Sequence, residues 1–253
     1  MAAPRIFIDG HVGTTGLRIR DLLAARRDVT LIDIPEAARK DSAARQARLN
    51  DADIVVLCLP DAAARDAVAM IQAPNVRVVD ASSAHRVADG WDYGLPELDS
   101  TQRQRIATSR RVSAPGCYPL TVILGLRPLL DARVLRPDTP ITVHALSGYT
   151  GGGRPMIERW EAPEPGLLGL PFEAPYALDR IHKHLPEMLC YSRLTHPPQF
   201  LPAVGPFPTG MRVEVPLHVS LLAHGTTGHA VWKILHQRYA GERFVQVAPY
   251  RES

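Results

Sequence analysis

Residues 5–20 read RIFIDGHVGTTGLRIR. The run RIFID has the β-branched and aromatic make-up of a strand, and Thr14 to Ala25 reads as a helix. Between them Gly10, Gly13 and Gly16 keep a G-x-x-G-x-x-G spacing at the strand-to-helix turn. Small residues there let the backbone approach a pyrophosphate, and the amides and positive end of the following helix hold its charge. Thr14 and Thr15 add hydroxyl donors. The spacing also suits a tight βα turn that holds nothing; its place after the first strand of a βαβ unit favours a dinucleotide.

Working outward, VTLIDI (29–34), DIVVLCLP (53–60) and VRVVDAS (76–82) read as strands, with helices at Ser42 to Asn50 and Asp61 to Ile71. The last two strands are apolar throughout. Such strands separated by helices predict a doubly wound α/β domain, a parallel sheet covered on both faces. The texture changes after residue 116. A helix is expected from Cys117 to about Asp131, a strand at 140–148, a Pro/Gly-rich passage at 163–175, a long strand at 211–222, a helix at about 227–239 and a strand at 243–248. Longer, alternating strands predict an α+β domain with an antiparallel sheet carrying helices on one face.

The 253 residues, 45% hydrophobic and 22% charged, suffice for two cores. A net charge of +3 without long basic runs argues against nucleic acid or an anionic membrane as partner. No apolar window reaches the length of a membrane helix. Three cysteines at 58, 117 and 190 form neither a disulfide framework nor a zinc spacing, so no metal is expected and a reducing cytoplasm is.

Past the second strand, NAD-binding domains offer an acid to the ribose and NADP-binding ones offer cations to the extra phosphate. Asp33 stands near the acid position, yet Arg39 and Lys40 follow; NADP is the expected cofactor, against a solvated charged pair.

Cys58 lies inside an apolar run, where its thiol would be inert. Cys117 instead follows Pro115-Gly116 and opens a helix. A helix N-terminus stabilises a thiolate, and the same amides can hold an oxyanion formed when sulfur adds to a carbonyl. The competing reading is a structural cap. Covalent cysteine chemistry needs a base. DRIHKHLPEM (179–188) carries His182, His184 and Glu187, and Glu187 lies three residues from His184, where it could orient the ring; an exposed polar helix start is the alternative. DASSAHRV (80–87), with Ser82, Ser83 and Arg86, and SGYTGGGR (147–154) combine small residues with arginine as anion sites do, or are flexible turns.

In order along the chain, FIDGHVGTTGLRIR, DASSAHRV, GLPEL, APGCYPLTVILGLRPL, SGYTGGGR and HKHLPEM resemble the N-acetyl-gamma-glutamyl-phosphate reductases of arginine biosynthesis, in their shorter, type 2 subfamily, from Arg5 to about Pro249. Aspartate-semialdehyde dehydrogenase and glyceraldehyde-3-phosphate dehydrogenase are similar at greater distance. The resemblance implies an NADP-binding Rossmann domain over 1–116 and a substrate, catalytic and dimerisation domain over 117–253. It implies NADPH on the Gly10–Gly16 loop, Cys117 as nucleophile, and His184 as acid/base with Glu187 beside it. Ser82, Ser83, Arg86, Ser147, Gly148, Gly151 and Gly152 would hold the substrate. The implied reaction reduces the acyl phosphate N-acetyl-glutamyl 5-phosphate to its semialdehyde through a thioester, in a cytoplasmic dimer or tetramer.

Three departures stand out. Arg154-Pro155 replaces a lysine and a polar residue; Asp33 replaces an uncharged residue; and the chain stops at VAPYRES where the family continues into a further strand, a glycine-rich segment and a return helix. An aspartate-semialdehyde dehydrogenase-like enzyme and a truncated, non-catalytic nucleotide-binding protein are the rival expectations.

Overall fold

The computed structural model describes residues 2–10, 14–163 and 166–251, with Thr14 described by its backbone alone. Two compact units emerge, residues 1–94 with 104–115 and residues 95–103 with 116–253.

The first unit runs β1 (Arg5–Asp9), α1 (Thr14–Ala24), β2 (Thr30–Ile32), α2 (Ser42–Asp51), β3 (Ile54–Leu57), α3 (Asp61–Met70) and β4 (Arg77–Asp80). These strands pair in parallel, β2-β1-β3-β4. Alternation along them serves both faces. Phe7, Val55, Leu57 and Val78 pack with Leu49 of α2 and Ala64 and Ala67 of α3. Ile6, Ile8 and Val56 meet Ile19 and Leu23 of α1 on the other side. This two-sided cover is why β3 carries no polar residue, and the doubly wound fold is as expected. Asp41 caps α2 by accepting the Ala44 N–H at 2.7 Å. Two strands absent from the sequence reading, β5 (Asp92–Tyr93) and β6 (Arg111–Ser113), extend the sheet to β2-β1-β3-β4-β6-β5, with α4 (Gln102–Thr108) between them in sequence. Strands of two and three residues are too short to show a period.

The second unit holds α5 (Cys117–Asp131), β7 (Thr142–Gly148), a 3-10 turn at Tyr149–Gly152, α6 (Arg154–Glu161), β8 (Ala174–Pro175), α7 (Leu185–Ser192), β9 (Gln199–Gly205), β10 (Met211–Glu214) and α8 (Gly228–Tyr239). Its sheet is ordered β10-β7-β9-β8. The expectation of an antiparallel sheet is corrected to a mixed one: β7 and β9 run parallel at its centre, because α6, β8 and α7 form the crossover between them. β9 escaped the sequence reading because Pro202 sits within it, and proline counts against a central strand. Tyr118, Val122, Leu126 and Leu129 of α5 pack on Val143 and Ala145 of β7, Met188 of α7 and Phe200 of β9.

Two further strands need correction. The expected strand at 211–222 ends at Glu214; Pro216 interrupts it and His218 caps a 3-10 turn at Val219–Leu221 through the Ser220 N–H. Residues 243–248 form no strand. Phe244 is 81% exposed there, and the segment is tied back instead through the Trp232 indole, which donates to the Ala248 carbonyl at 2.7 Å.

Candidate active site

At the end of β1 the chain turns through Gly10 at φ +90°, and a Cβ there would lie 2.3 Å from the Cys58 carbonyl oxygen. Only glycine meets both demands. Gly13 lies outside the described residues, as does the side chain of Thr14; Thr15 is exposed and Gly16 buried at the start of α1. Gly10 opens onto a cavity of about 430 Å³ lined also by Asp9, Ile34, Arg39, Lys40, Arg45, Leu59 and Ala63. Arg45 is a cation the sequence reading missed. The buried Asp9 carboxylate accepts from it at 2.7 Å, which fixes the guanidinium against the cavity. Asp33 does not line this cavity, and its carboxylate accepts from Arg20 at 2.9 Å. The Asp33 charge is thus met by Arg20. Three cations and one already paired carboxylate around a glycine turn fit NADP.

In the second unit Cys117 is the exposed first residue of α5. Gly116 before it is the extended N-cap residue, and its N–H donates to Oε2 of Glu187 at 2.8 Å. Glu187 is 1% exposed. The sequence reading placed this carboxylate beside His184; the structure also gives it the backbone that presents the cysteine. Pro119 lacks an N–H, so the Cys117 and Tyr118 amides are the donors the first turn directs toward the sulfur's surroundings. Arg127 secures the other end of α5, donating to Asp131 at 2.9 Å and to the Tyr191 carbonyl of α7 at 3.0 Å.

His184 is buried as the N-cap residue of α7, its ring 5.8 Å from that of Tyr118 and 4.6 Å from that of His182, centre to centre. The His184 N–H donates to Nδ1 of His182 at 3.2 Å. That nitrogen must therefore be an acceptor, which leaves the His182 proton on Nε2, facing the Tyr176 hydroxyl at 3.5 Å. Burial, then the Lys183 charge, holds the His182 imidazole below its ordinary pKa, consistent with a neutral ring. Tyr176 is pushed well above the usual phenol range by burial first, then by its hydrogen bond with Tyr118 and the charges of Tyr118 and Cys117. Tyr118 in turn donates to the Ser147 hydroxyl at 2.8 Å. Tyr118 and Tyr176 were invisible as site residues in the sequence, being single aromatics among apolar and Pro-rich neighbours.

The His182 shift predicts a pH dependence of stability. A base whose folded pKa is depressed binds more protons when unfolded, so its contribution is present above about pH 6.5 and is lost as pH falls through the folded value. Chemical unfolding should show stability falling as pH drops below about 6.5, with a shallower fall in His182→Asn; equal slopes in the two proteins would contradict this.

The glycine segment follows β7 directly. Gly148 has no room for a side chain because a Cβ would meet the Pro208 carbonyl oxygen at 2.6 Å, and its N–H donates to the Gly210 carbonyl. Gly151 and Gly152 belong to the 3-10 turn, where Gly151 faces open space and Gly152 lies against Met156. Pro155 is accommodated in the first turn of α6, and Arg154 pairs in solvent with Glu158. Ser147 is the member of this group held next to the tyrosines. Ser82, Ser83 and Arg86 lie in the first unit, after β4. The Ser82 hydroxyl donates to Asp80 at 2.7 Å and the Ser83 hydroxyl to Asp61 at 2.9 Å, so both hydrogens are committed within the protein. Arg86 is buried and donates to the Ala81 carbonyl at 3.2 Å.

Of the other cysteines, Cys58 is raised to about 11 by burial, with the Asp80 and Asp9 carboxylates adding to it, and Cys190 is raised chiefly by burial. A thiol at 11 is a poor nucleophile at neutral pH.

Over 253 residues the chain is 50% identical to the N-acetyl-gamma-glutamyl-phosphate reductase of Rhizobium johnstonii, an alignment spanning 99% of this chain and 81% of that protein. This chain belongs to the N-acetyl-gamma-glutamyl-phosphate reductase family. It is 48% identical to N-acetyl-gamma-glutamyl-phosphate reductase 2 of Pseudomonas putida, over 100% of this chain and 80% of that one. Residues 32–107 match the semialdehyde dehydrogenase NAD-binding domain, and residues 117–253 the semialdehyde dehydrogenase dimerisation domain. Among solved structures, aspartate semialdehyde dehydrogenase II from Vibrio cholerae superposes with a TM-score of 0.67 over 92% of this chain and 79% of that one, at 15% identity, a likeness of fold. Among the described residues no helix is long and apolar enough to cross a membrane.

Proposed function

We propose that this chain catalyses the NADPH-dependent reduction of N-acetyl-glutamyl 5-phosphate to N-acetylglutamate semialdehyde and phosphate, as its relatives' name describes. The observation that carries the reading is Cys117, exposed at the start of α5 on a backbone held by buried Glu187, on the same unit as His184.

The Cys117 sulfur attacks the carbonyl carbon of the acyl phosphate; the C–S bond forms, the bond to the phosphate oxygen breaks, and phosphate leaves with the electron pair. The Cys117 and Tyr118 amides stabilise the oxyanion on the way. Gly10, Arg39, Lys40 and Arg45 would hold NADPH, which when bound would supply the hydride that reduces the thioester. His184 takes the hydroxyl proton of the resulting thiohemiacetal as the C–S bond breaks, returning the thiolate and freeing the aldehyde. Arg86 and Ser147 are the substrate-binding candidates that act through side chains; Gly148, Gly151 and Gly152 would act through the backbone of the turn.

Run in reverse, with the semialdehyde, NADP and inorganic phosphate, the purified protein should generate NADPH absorbance only when phosphate is present. Activity with aspartate semialdehyde and none with the N-acetylglutamate semialdehyde would sink this assignment. The cation cluster predicts that Arg39→Ala and Lys40→Ala each weaken NADPH binding by about tenfold while leaving NADH binding nearly unchanged, and that Asp33→Asn changes neither. Fluorescence titration of both nucleotides tests it, and a uniform loss for both would refute the assignment of the extra phosphate to this cavity.

We assign a homo-oligomer as well. On the face of the second sheet away from α5, His144, Leu146, Leu201, Arg212 and Glu214 line a cavity of about 340 Å³. A second copy is the occupant that the dimerisation-domain match supports. Three free cysteines are compatible with a reducing cytoplasm.

A further inference from the structure

Within the second unit a line of hydrogen bonds runs from α7 to the end of β7, and its direction can be worked out group by group. The His184 N–H can only donate, and it donates to Nδ1 of His182 at 3.2 Å. The neutral His182 ring therefore keeps its proton on Nε2, and the Tyr176 oxygen 3.5 Å away is the acceptor for it. Tyr176 is also hydrogen-bonded to Tyr118, and since His182 has already taken the accepting side of Tyr176, the Tyr176 hydrogen goes to the Tyr118 oxygen. The Tyr118 hydrogen in turn goes to Oγ of Ser147 at 2.8 Å. Ser147 ends the line as an acceptor, and among the described residues nothing accepts its own hydrogen. Its position gives that hydrogen somewhere to act. Val143 and Ala145 of β7 pack against α5, and Ser147 is the next residue on the same face of the strand, half-buried. Tyr118 follows Cys117 directly in α5.

The rings in this line are held by packing as well. Phe200 of β9 meets both Tyr118 and His182 edge-on, with centroids 5.1 Å away in each case, and Tyr118 is 3% exposed. A lone serine hydroxyl rotates and can donate or accept as its neighbours demand. One that already accepts from a fixed phenol is left to donate, and successive hydrogen bonds pointing the same way polarise one another and strengthen the last donor. Ionised phosphoryl and carboxylate oxygens are acceptors only, so a hydroxyl with its hydrogen turned inward would meet them with a lone pair. We propose that His182, Tyr176 and Tyr118 are positioning residues whose one-way hydrogen-bond line fixes Ser147 as a donor to an ionised oxygen of the substrate, phosphoryl or carboxylate. The proposal rests on the reductase reading for the identity of that substrate, and it gives Tyr118 and Tyr176 a part in the reaction that acts through Ser147.

The test measures kcat and the KM values for phosphate and for N-acetylglutamate semialdehyde in the reverse reaction, with unfolding midpoints alongside. Ser147→Ala removes the final donor; Tyr118→Phe and Tyr176→Phe keep the rings and remove one hydroxyl each. Ser147→Ala should raise one KM by about tenfold, that of phosphate if the phosphoryl group is held and that of the semialdehyde if the carboxylate is, with kcat changed far less. Tyr118→Phe and Tyr176→Phe should raise the same KM, and neither should raise it further in the Ser147→Ala background, because a residue that acts only through Ser147 then has nothing to position. Should Tyr176→Phe fail to fold, Tyr118→Phe carries the comparison. An unchanged KM in Tyr118→Phe or in Ser147→Ala overturns the proposal, and so do tyrosine effects that are equal in the two backgrounds, the mark of a purely structural role. Calorimetric titration of inorganic phosphate and of N-acetylglutamate, which offers carboxylates and no aldehyde, repeats the comparison without turnover. A wild type that binds either probe, loses it in the same non-additive pattern and does not turn over would sink the reductase reading and leave the hydrogen-bond line standing. A wild type that neither binds nor turns over overturns both.

Discussion

Cys117→Ser is expected to lower turnover by about 10⁴-fold or more while leaving NADPH affinity and the unfolding midpoint unchanged. The side chain is exposed at the first position of α5, so the substitution removes one surface sulfur and creates no cavity. The cavity proposed above for the nucleotide is lined by residues of the first unit, among them Asp9, Arg39 and Arg45, and not by Cys117. A serine hydroxyl at this position is nearly all protonated at neutral pH and lacks the polarisability of sulfur, and the amides that favour a thiolate cannot lower an alcohol's pKa far enough to compensate. Single-turnover absorbance with the acyl phosphate, beside nucleotide fluorescence, measures both quantities. Retention of more than a few per cent of activity would remove Cys117 from the nucleophile's role; loss of nucleotide affinity would mean that the variant had changed more than its chemistry.

The second large effect separates two neighbouring histidines. His184→Asn should lower kcat by about 10²- to 10⁴-fold, the range for removing a general acid/base. His182→Asn should cost far less. His182 already accepts the His184 N–H through Nδ1, and an asparagine oxygen can accept the same N–H across the same two-residue turn. Its ring is held neutral by burial, which suits an orienting role between Tyr176 and the His184 backbone. The kcat/KM pH profile gives a second readout: the limb belonging to the acid/base should vanish in His184→Asn and persist in His182→Asn. The opposite pattern would hand the proton to His182. A buried Glu187 on the Gly116 amide adds a comparison, since Glu187→Gln keeps an acceptor for that N–H and should retain the geometry that Glu187→Leu loses.

Several features were legible in the chain because they are local. Continuous apolar runs between helices could be buried only in a two-sided parallel sheet, so β1, β3 and β4 follow from RIFID, DIVVLCLP and VRVVDAS together with their intervening helices. Gly10 announces its turn since no other residue takes that φ against the Cys58 carbonyl. Cys117 announces itself by its place after Pro-Gly at a helix start. Where the pattern misled, long-range partners were responsible. The alternation at 243–248 finds no neighbouring strand, 211–222 breaks at Pro216, and β9 forms despite Pro202 because β7 and β8 flank it.

The site shows the same division. Sequence by itself determined the chemistry available: a thiol at a helix N-terminus, an imidazole and a carboxylate three residues apart, cations beyond the second strand, serines and an arginine after the fourth. Tertiary structure decided which of these groups are free to act. It turned Glu187 onto the Gly116 amide, Asp33 onto Arg20, Asp9 onto Arg45, and the hydroxyls of Ser82 and Ser83 onto Asp80 and Asp61. The physical reason is that a buried donor or acceptor must find a partner wherever the fold brings one, and such partners stand up to about seventy residues away in the chain, beyond the reach of any local pattern.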